Sequence, residues 1–373
     1  MKGMTVVFRA DASLLIGSGH VMRCLTLAEA LKAVGAECHF ICREHPGNLI
    51  SYIESKSFPV HKLRTDLEFS EKQSVRTPSP SHADWLGTTQ LKDANASKLI
   101  LEMLRPDWLV VDHYSLDEQW EKVAVRYSHK LMVIDDLADR AHLCDLLLDQ
   151  NLGRLPLDYK FYVPSDCELL IGPRYALLRK DFAELRNESL SRRASSSLKN
   201  IIITMGGVDE KNVTSRIMLA LSALNLRSSI NITVVMGGTS PWLKNVKDLA
   251  ATMPYPTKVL SNIDNMAEVM LVSDLAIGAA GSTSWERCCL GLPSLFVILA
   301  ANQMGIGKAL QDSGSAISLG SPESPSFNEK ITNSVNALLQ DPSLLERLSA
   351  AAATVTDGAG CAAVVSWLGK AQK

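Results

Sequence analysis

Short apolar runs alternate with helix-like segments along the whole of this chain, and that alternation leaves few folds open. Each run suits a strand buried on both faces, and a helix between two such runs returns the chain across the sheet. The expected fold class is therefore α/β, with two Rossmann-like doubly wound domains facing across a cleft. Strands are expected at Met4–Phe8, Glu37–Cys42, Trp108–Asp112, Leu131–Asp135, Asp145–Leu148 and Leu169–Ile171, then at Asn200–Met205, Asn231–Met236, Lys258–Leu260, Asp274–Ile277, Pro293–Val297 and Ala316–Ser318. A chain of 373 residues exceeds one ordinary core, which favours two domains. The polar, Ser/Arg-rich stretch Arg186–Lys199 reads as the linker, dividing the chain into 1–185, 186–199 and 200–373. The last helix, from about Pro342 to Lys370, is long enough to reach back onto the first domain. The polar segment Asp66–Ala83, with Pro78 and Pro80, reads as a loop without an assignable role.

Composition narrows the function. Hydrophobic residues make up 46% of the chain and charged residues 21%, as in globular enzymes. A net charge of -2 gives no electrostatic reason to expect nucleic acid or an anionic membrane as partner. No apolar run reaches the roughly 20 residues of a membrane span. The N-terminal residues enter a strand without a signal-peptide pattern, so the cytoplasm is the expected compartment. The 8 cysteines are scattered, without a Cys-x-x-Cys pair, and read as buried free thiols. No His, Cys and carboxylate cluster has a metal spacing, so neither metal nor cofactor is expected.

All 8 histidines fall at or before His142, which places any histidine chemistry in the first half. The first strand runs into Ser13-Leu14-Leu15-Ile16-Gly17-Ser18-Gly19-His20, and a helix opens at about Val21. Gly17 and Gly19 thus lie in a loop at a strand's carboxyl end, the edge where open α/β sheets bind ligands. Helix N-termini there attract anions, and Arg9 and Arg23 flank the loop. His20 is placed to act as a base beside a bound phosphate ester, or simply to cap the helix. Asp112-His113-Tyr114 ends another strand on the same edge, where a carboxylate can orient an imidazole. His39 and His61 read as structural, and His45, His82, His129 and His142 as solvent-exposed. Asp135-Asp136 closes a further strand, with nothing else to complete a metal site.

In the second half, a strand runs into Gly206-Gly207-Val208-Asp209, with a helix from about Lys211. Paired glycines let backbone approach a diphosphate closely. A later strand runs into Ala280-Gly281-Ser282-Thr283-Ser284-Trp285-Glu286, where the small residues clear space and the hydroxyls are expected to cap a helix. Glu286 in that turn suits the two hydroxyls of a ribose, or compensates the helix dipole. No Gly-Lys-Ser/Thr follows either loop, which argues against a nucleoside triphosphatase.

Together, FRADASLLIGSGHVMRC, WLVVDHYSLD, VIDDLADR, DLLLDQN, GPRYALLRKDF, ITMGGVDEKN and GSTSWERCCLGLP resemble the PseG family. These are the UDP-2,4-diacetamido-2,4,6-trideoxy-β-L-altropyranose hydrolases of pseudaminic acid biosynthesis. The resemblance covers most of the chain. It implies a GT-B architecture, UDP held mainly by the second domain, and metal-independent hydrolysis at the anomeric carbon. It makes His20 the general base and Tyr114 a residue that positions sugar or water. It places Glu286 on the ribose and Asn302-Gln303 on the UDP-sugar. The polar run Asp66–Pro80 is long for the family.

The chemistry agrees with that implication. UDP leaves readily when its developing charge meets N–H groups, so the limiting need is a base for the attacking water. Two other readings stay open: a GT-B glycosyltransferase that passes the sugar to an acceptor, and a nucleotide-sugar sensor without catalysis. Against the transferase stands the lack of an obvious apolar, basic patch for a lipid acceptor.

Overall fold

The computed structural model describes residues 1, 3–65, 80, 82–194, 197–226 and 229–370. Most of the polar run 66–83 lies outside them. The chain divides into two compact units. Unit 1 comprises Met1–Leu177 together with Gly360–Lys373, and unit 2 comprises Leu178–Ala359.

Among the described residues, unit 1 holds seven strands: β1 (Thr5–Ala10), β2 (Glu37–Arg43), β3 (Val60–Leu63), β4 (Trp108–Asp112), β5 (Lys130–Ile134), β6 (Leu146–Asp149) and β7 (Glu168–Ile171). Their order in the sheet is β3-β2-β1-β4-β5-β6-β7, with every pairing parallel. Unit 2 holds six among its described residues: β8 (Asn200–Thr204), β9 (Asn231–Met236), β10 (Thr257–Ser261), β11 (Leu275–Ala279), β12 (Ser294–Val297) and β13 (Ile317–Gly320). These are ordered β10-β9-β8-β11-β12-β13, again all parallel. In each sheet the order reverses beside the first strand, as in Rossmann-like folds, and ligands of such sheets bind at that switch point. Twelve of these strands overlap the runs expected from sequence; β3 was not among them. It is a four-residue edge strand, Val-His-Lys-Leu, with only Leu63 buried, so its apolar signal is weak.

The sheet of unit 1 carries an apolar layer on each face. Val6, Phe8 and Ala10 of β1 face one layer, and Val7 faces the other. Strand alternation puts Arg9 on the Val7 side. Arg9 is fully buried, and its guanidinium is spent on carboxylates. It donates to Asp11 at 2.7 and 2.8 Å and to Asp93 at 3.1 and 2.8 Å. Asp93, in the Gln90–Leu104 helix, also accepts from Arg43 at 2.6 Å and from the Trp120 indole at 2.9 Å. Arg9 is therefore a core residue and not the ligand contact expected from sequence.

The domain boundaries also differ from expectation. The expected linker 186–199 is, up to Arg193, part of a helix, Lys180–Arg193, that belongs to unit 2. Its arginines donate to the carbonyls that end nearby helices. Arg186 reaches the carbonyls of Cys289, Thr356 and Ala353, and Arg193 those of Leu290, Ser273 and Met270. A stretch that is polar by composition is thus bound through carbonyl acceptors. The expected long C-terminal helix is two helices, Pro342–Ala353 in unit 2 and Gly360–Lys370 in unit 1. The second buries Cys361, Val364, Val365 and Leu368 in the unit 1 core, and the Trp108 indole donates to the Leu368 carbonyl at 3.3 Å. No helix among the described residues is long and apolar enough to cross a membrane.

Asp93→Ala leaves two buried guanidinium groups short of their carboxylate. It should cost about 3–5 kcal/mol, as breaking a buried ion pair from one side does. Urea unfolding of the full chain checks this; a midpoint equal to wild type would show that Arg9 and Arg43 do not need Asp93.

Candidate functional site

The β1 loop closes on itself before the helix begins. Gly17 has a positive φ of 80°, and its N–H donates to the Ser13 carbonyl at 2.9 Å. Gly19 opens the helix Gly19–Ala33, which puts His20 in its first turn. His20 and Arg23 lie three residues apart, so one helix face carries both. They meet the end of β4. His20 Nδ1 is 2.5 Å from Asp112 Oδ1, while Arg23 donates to Asp112 at 2.6 and 2.7 Å. Arg23 also donates to Asp136 at 2.6 Å, and Asp136 accepts from the Tyr114 hydroxyl at 2.7 Å. The Tyr114 ring meets the His20 ring edge-on, with centroids 4.5 Å apart.

Asp112 is fully buried. Burial alone would push its carboxyl up, but the Arg23 charge and His20 outweigh it and hold the group well below the usual carboxylate range. Burial, with the Asp136 charge, pushes the Tyr114 hydroxyl well above its ordinary value, so it stays protonated. An ionised Asp112 accepts a proton-bearing Nδ1, which leaves the lone pair of neutral His20 on Nε2. Nε2 has no hydrogen-bond partner among the described residues, and it is not one of the sealed-in unpartnered atoms. This is the geometry of an oriented base.

His113, the other histidine at this edge, is committed elsewhere. The Ser115 N–H donates to its Nδ1 at 3.1 Å, so the neutral ring carries its proton on Nε2, 3.2 Å from Asp11. Burial holds His113 below the usual imidazole range. His45 and His142, expected at the surface, are buried; His142 sits 2.7 Å from Glu121. The Asp135-Asp136 pair is divided. Asp135 is held by Arg140 at 2.8 Å, the Tyr159 hydroxyl at 3.0 Å and two backbone N–H groups, whereas Asp136 faces Arg23 and Tyr114. No three His, Cys, Asp or Glu groups among the described residues are placed to hold a metal.

Three features beyond the expected residues complete this edge. Arg23, in sequence only a cation flanking the loop, stands at i, i+3 from His20. Trp85 stacks on Tyr114 with centroids 5.7 Å apart, and His82 packs on Trp85 at 4.3 Å. His82 lies at the end of the polar run and Trp85 just past it, where no periodic signal marks them.

In unit 2 the expected residues gather at the carboxyl ends of three adjacent strands, β8, β11 and β12. Gly206, with φ of 91°, and Gly207 follow β8, and both are exposed. A side chain at Gly237 would stand 2.2 Å from the Gly207 carbonyl oxygen, so the two backbones meet as only glycine permits. Asp209 caps the next helix, accepting from Val213 and Thr214 at 2.9 Å each, and that helix starts at Val213 rather than near Lys211. Gly281, Ser282 and Thr283 follow β11; Ser282 is exposed. The hydroxyls do not cap the helix as expected. Ser282 makes no capping bond, and Thr283 and Ser284 accept from Arg287 instead, at 3.3 and 2.9 Å. Asn302 and Gln303 form the turn after β12. Asn302 is exposed, and Gln303 accepts from the Leu299 N–H at 2.9 Å. Glu286 makes no side-chain hydrogen bond or ion pair among the described residues. Burial raises its carboxyl to about 7, against the pull of Arg179 and Arg287.

Residues 200–360 match the model of the glycosyltransferase family 28 C-terminal domain. The chain is 27% identical over 288 residues to the UDP-2,4-diacetamido-2,4,6-trideoxy-beta-L-altropyranose hydrolase of Campylobacter jejuni, covering 77% of this chain and 89% of that relative. It is 26% identical over 305 residues to an uncharacterised protein of Methanocaldococcus jannaschii, covering 81% of this chain but only 56% of that relative. Among solved structures it is similar to MurG of Acinetobacter baumannii, with a TM-score of 0.69 at 18% identity over 98% of this chain and 99% of that one. The fold is GT-B.

The raised Glu286 carboxyl predicts a pH effect. The folded chain holds a proton there up to about pH 7, whereas an unfolded glutamate releases it near pH 4.3. Stability therefore falls as pH rises through that window. Glu286→Gln should melt higher than wild type at pH 8 and about equally at pH 4. Scanning calorimetry showing the same difference at both would remove the titration from Glu286.

Proposed function

We propose that this chain, a GT-B enzyme of nucleotide sugars, hydrolyses a UDP-sugar at the anomeric carbon and releases UDP and the free sugar. The observation that carries the proposal is His20, its Nδ1 fixed on Asp112 and its Nε2 left open. The Campylobacter jejuni relative supports UDP-2,4-diacetamido-2,4,6-trideoxy-β-L-altropyranose as the substrate.

In this reading a water oxygen bonds to C1 while His20 Nε2 takes the water's proton. The C1–O bond to UDP breaks, its electron pair stays on the β-phosphate oxygen, and UDP leaves. The proton then passes from His20 to solvent. Asp112 keeps the ring oriented and presents its charge to the imidazolium that forms. Tyr114, its hydroxyl proton given to Asp136, keeps an oxygen lone pair free to position water or sugar. In unit 2, Gly206, Gly207, Gly281, Ser282 and Thr283 hold the diphosphate, Glu286 accepts from the ribose, and Asn302 and Gln303 add contacts. Attack by water from the face opposite UDP inverts C1.

A second reading has one observation in its favour. Leu155, Leu157 and Phe161 are 59%, 70% and 85% exposed within one stretch after β6, beside Arg154 and Lys160. An apolar acceptor for sugar transfer could use such a surface, which the sequence did not make evident. UDP release by pure protein with no acceptor separates the two readings. We expect release, and we expect it to persist in EDTA, because Asp135 and Asp136 already have protein partners. Loss in EDTA with recovery on added magnesium would return the pair to a metal role.

His20→Asn should lower kcat by about 100- to 10,000-fold, the usual span for one general base, while UDP binding stays close to wild type. Hydrolysis by the wild type in ¹⁸O-water should label the sugar, because the C1–O bond is the one broken. Label in UDP, or a His20→Asn variant with most of its kcat, would overturn the mechanism.

A further inference from the structure

The loop after β11 is built around a buried cation that has no carboxylate partner among the described residues. Arg287 is 2% exposed. One of its terminal nitrogens donates to the Ala279 carbonyl and to the Ser284 hydroxyl, each at 2.9 Å. The other reaches the Thr283 hydroxyl at 3.3 Å. Its Nε has no hydrogen-bond partner among the described residues. The guanidinium makes no ion pair among the described residues. The contrast with unit 1 is sharp, because Arg9 and Arg23 there each hold two carboxylates.

Space for this arrangement is reserved by Gly278, where a side chain would stand 2.4 Å from Arg287 Nη1. The neighbouring Glu286 makes no ion pair with Arg287 among the described residues, and burial raises its carboxyl to about 7. A buried guanidinium without an anion carries a desolvation cost that a neighbouring negative charge would offset. Its hydrogen bonds fix the two hydroxyls and the carbonyl of the loop that carries Gly281 and Ser282, and Ser282 is open to solvent. An anion received by that loop lies in the field of the cation beneath it.

We propose that Arg287 is a positioning residue for an anionic ligand group, the diphosphate of the nucleotide. It acts from below the loop by holding Thr283 and Ser284 and by supplying the positive charge that the diphosphate balances. The inference rests on the reading that unit 2 binds UDP, and it assigns to Arg287 the discrimination between a nucleotide and its nucleoside.

The test compares UDP with uridine, binding of both being measured by calorimetry or nuclear magnetic resonance titration on the full chain. Wild type should bind UDP far more tightly than uridine. Arg287→Met should lower UDP affinity by about 10-fold or more, the scale of a lost charge-assisted contact, and leave uridine affinity within about 3-fold. Arg287→Lys keeps the charge without the planar fork and should regain part of the UDP preference; it also carries the test should the Met variant fail to fold. Parallel losses for UDP and uridine would make Arg287 a merely structural residue and overturn the proposal, as would an unchanged UDP affinity. A wild type with no preference for UDP over uridine would fail earlier, at the reading that unit 2 holds the diphosphate.

Discussion

Asp112 is the point on which the candidate site of unit 1 depends. A fully buried carboxylate is costly unless it is paired and hydrogen-bonded. Here Arg23 takes both oxygens and His20 takes one of them. The arrangement is possible because β1 and β4 are neighbours in the sheet, with Ala10 in register with Asp112. The helix that follows β1 then starts within reach of the end of β4. Satisfying Asp112 therefore sets the rotation of the helix, and that rotation sets where His20 stands. The charge of Arg23 is shared with Asp136, which in turn holds Tyr114, so the ring that packs against His20 belongs to the same network.

The two units treat buried charge differently. Unit 1 compensates it internally: Arg9 with Asp11 and Asp93, Arg23 with Asp112 and Asp136, and Arg140 with Asp135. Such paired networks add little net stability but strongly favour one arrangement of the groups they join. In unit 2, Glu286 and Arg287, adjacent in sequence, make no ion pair among the described residues in the first turns after Gly281. One is pushed toward neutrality and the other is held by hydroxyls and a carbonyl. Perturbed groups of this kind cluster at functional sites, and their position at the end of the central strand β11 is where the fold binds ligands.

Much of the architecture was legible because central parallel strands are apolar on both faces. The runs Trp108–Asp112 and Asn231–Met236 coincide with β4 and β9 to the residue. Legibility faded where burial is achieved by pairing rather than by apolar side chains. Edge strand β3 carried too little apolar signal. The helix Lys180–Arg193 looked like a linker because its contacts run from arginines to carbonyl oxygens, which composition does not reveal. The sequence shows Arg9 as a cation flanking the first loop and hides its burial, because its partners, Asp11 apart, lie far away in sequence: Asp93 is 84 residues on. Within the site, His20, Asp112 and Tyr114 were marked by their positions at strand ends, and the structure brings the three together. Their shared contact with Arg23 and Asp136, and the aromatic neighbours Trp85 and His82, needed coordinates, since they join segments with no common periodicity.

The proposed reaction divides its electrostatic work along the same line as the chain. Water becomes a nucleophile by losing a proton, and that needs an oriented base whose own charge change is buffered nearby; the ionised Asp112 provides this in unit 1. The leaving diphosphate gains negative charge, and that needs fixed positive potential without a competing carboxylate; the proposal assigns this to the backbone of the glycine loops and to Arg287, which makes no ion pair among the described residues of unit 2. If Arg287 were paired as Arg9 is, its field at the loop would be largely cancelled. If His20 lacked Asp112, its Nε2 would carry the proton as readily as Nδ1. Base catalysis of this kind contributes about 100- to 10,000-fold, so on this reading a large share of the acceleration belongs to leaving-group stabilisation, the term that fixed dipoles and charges supply without reorganising.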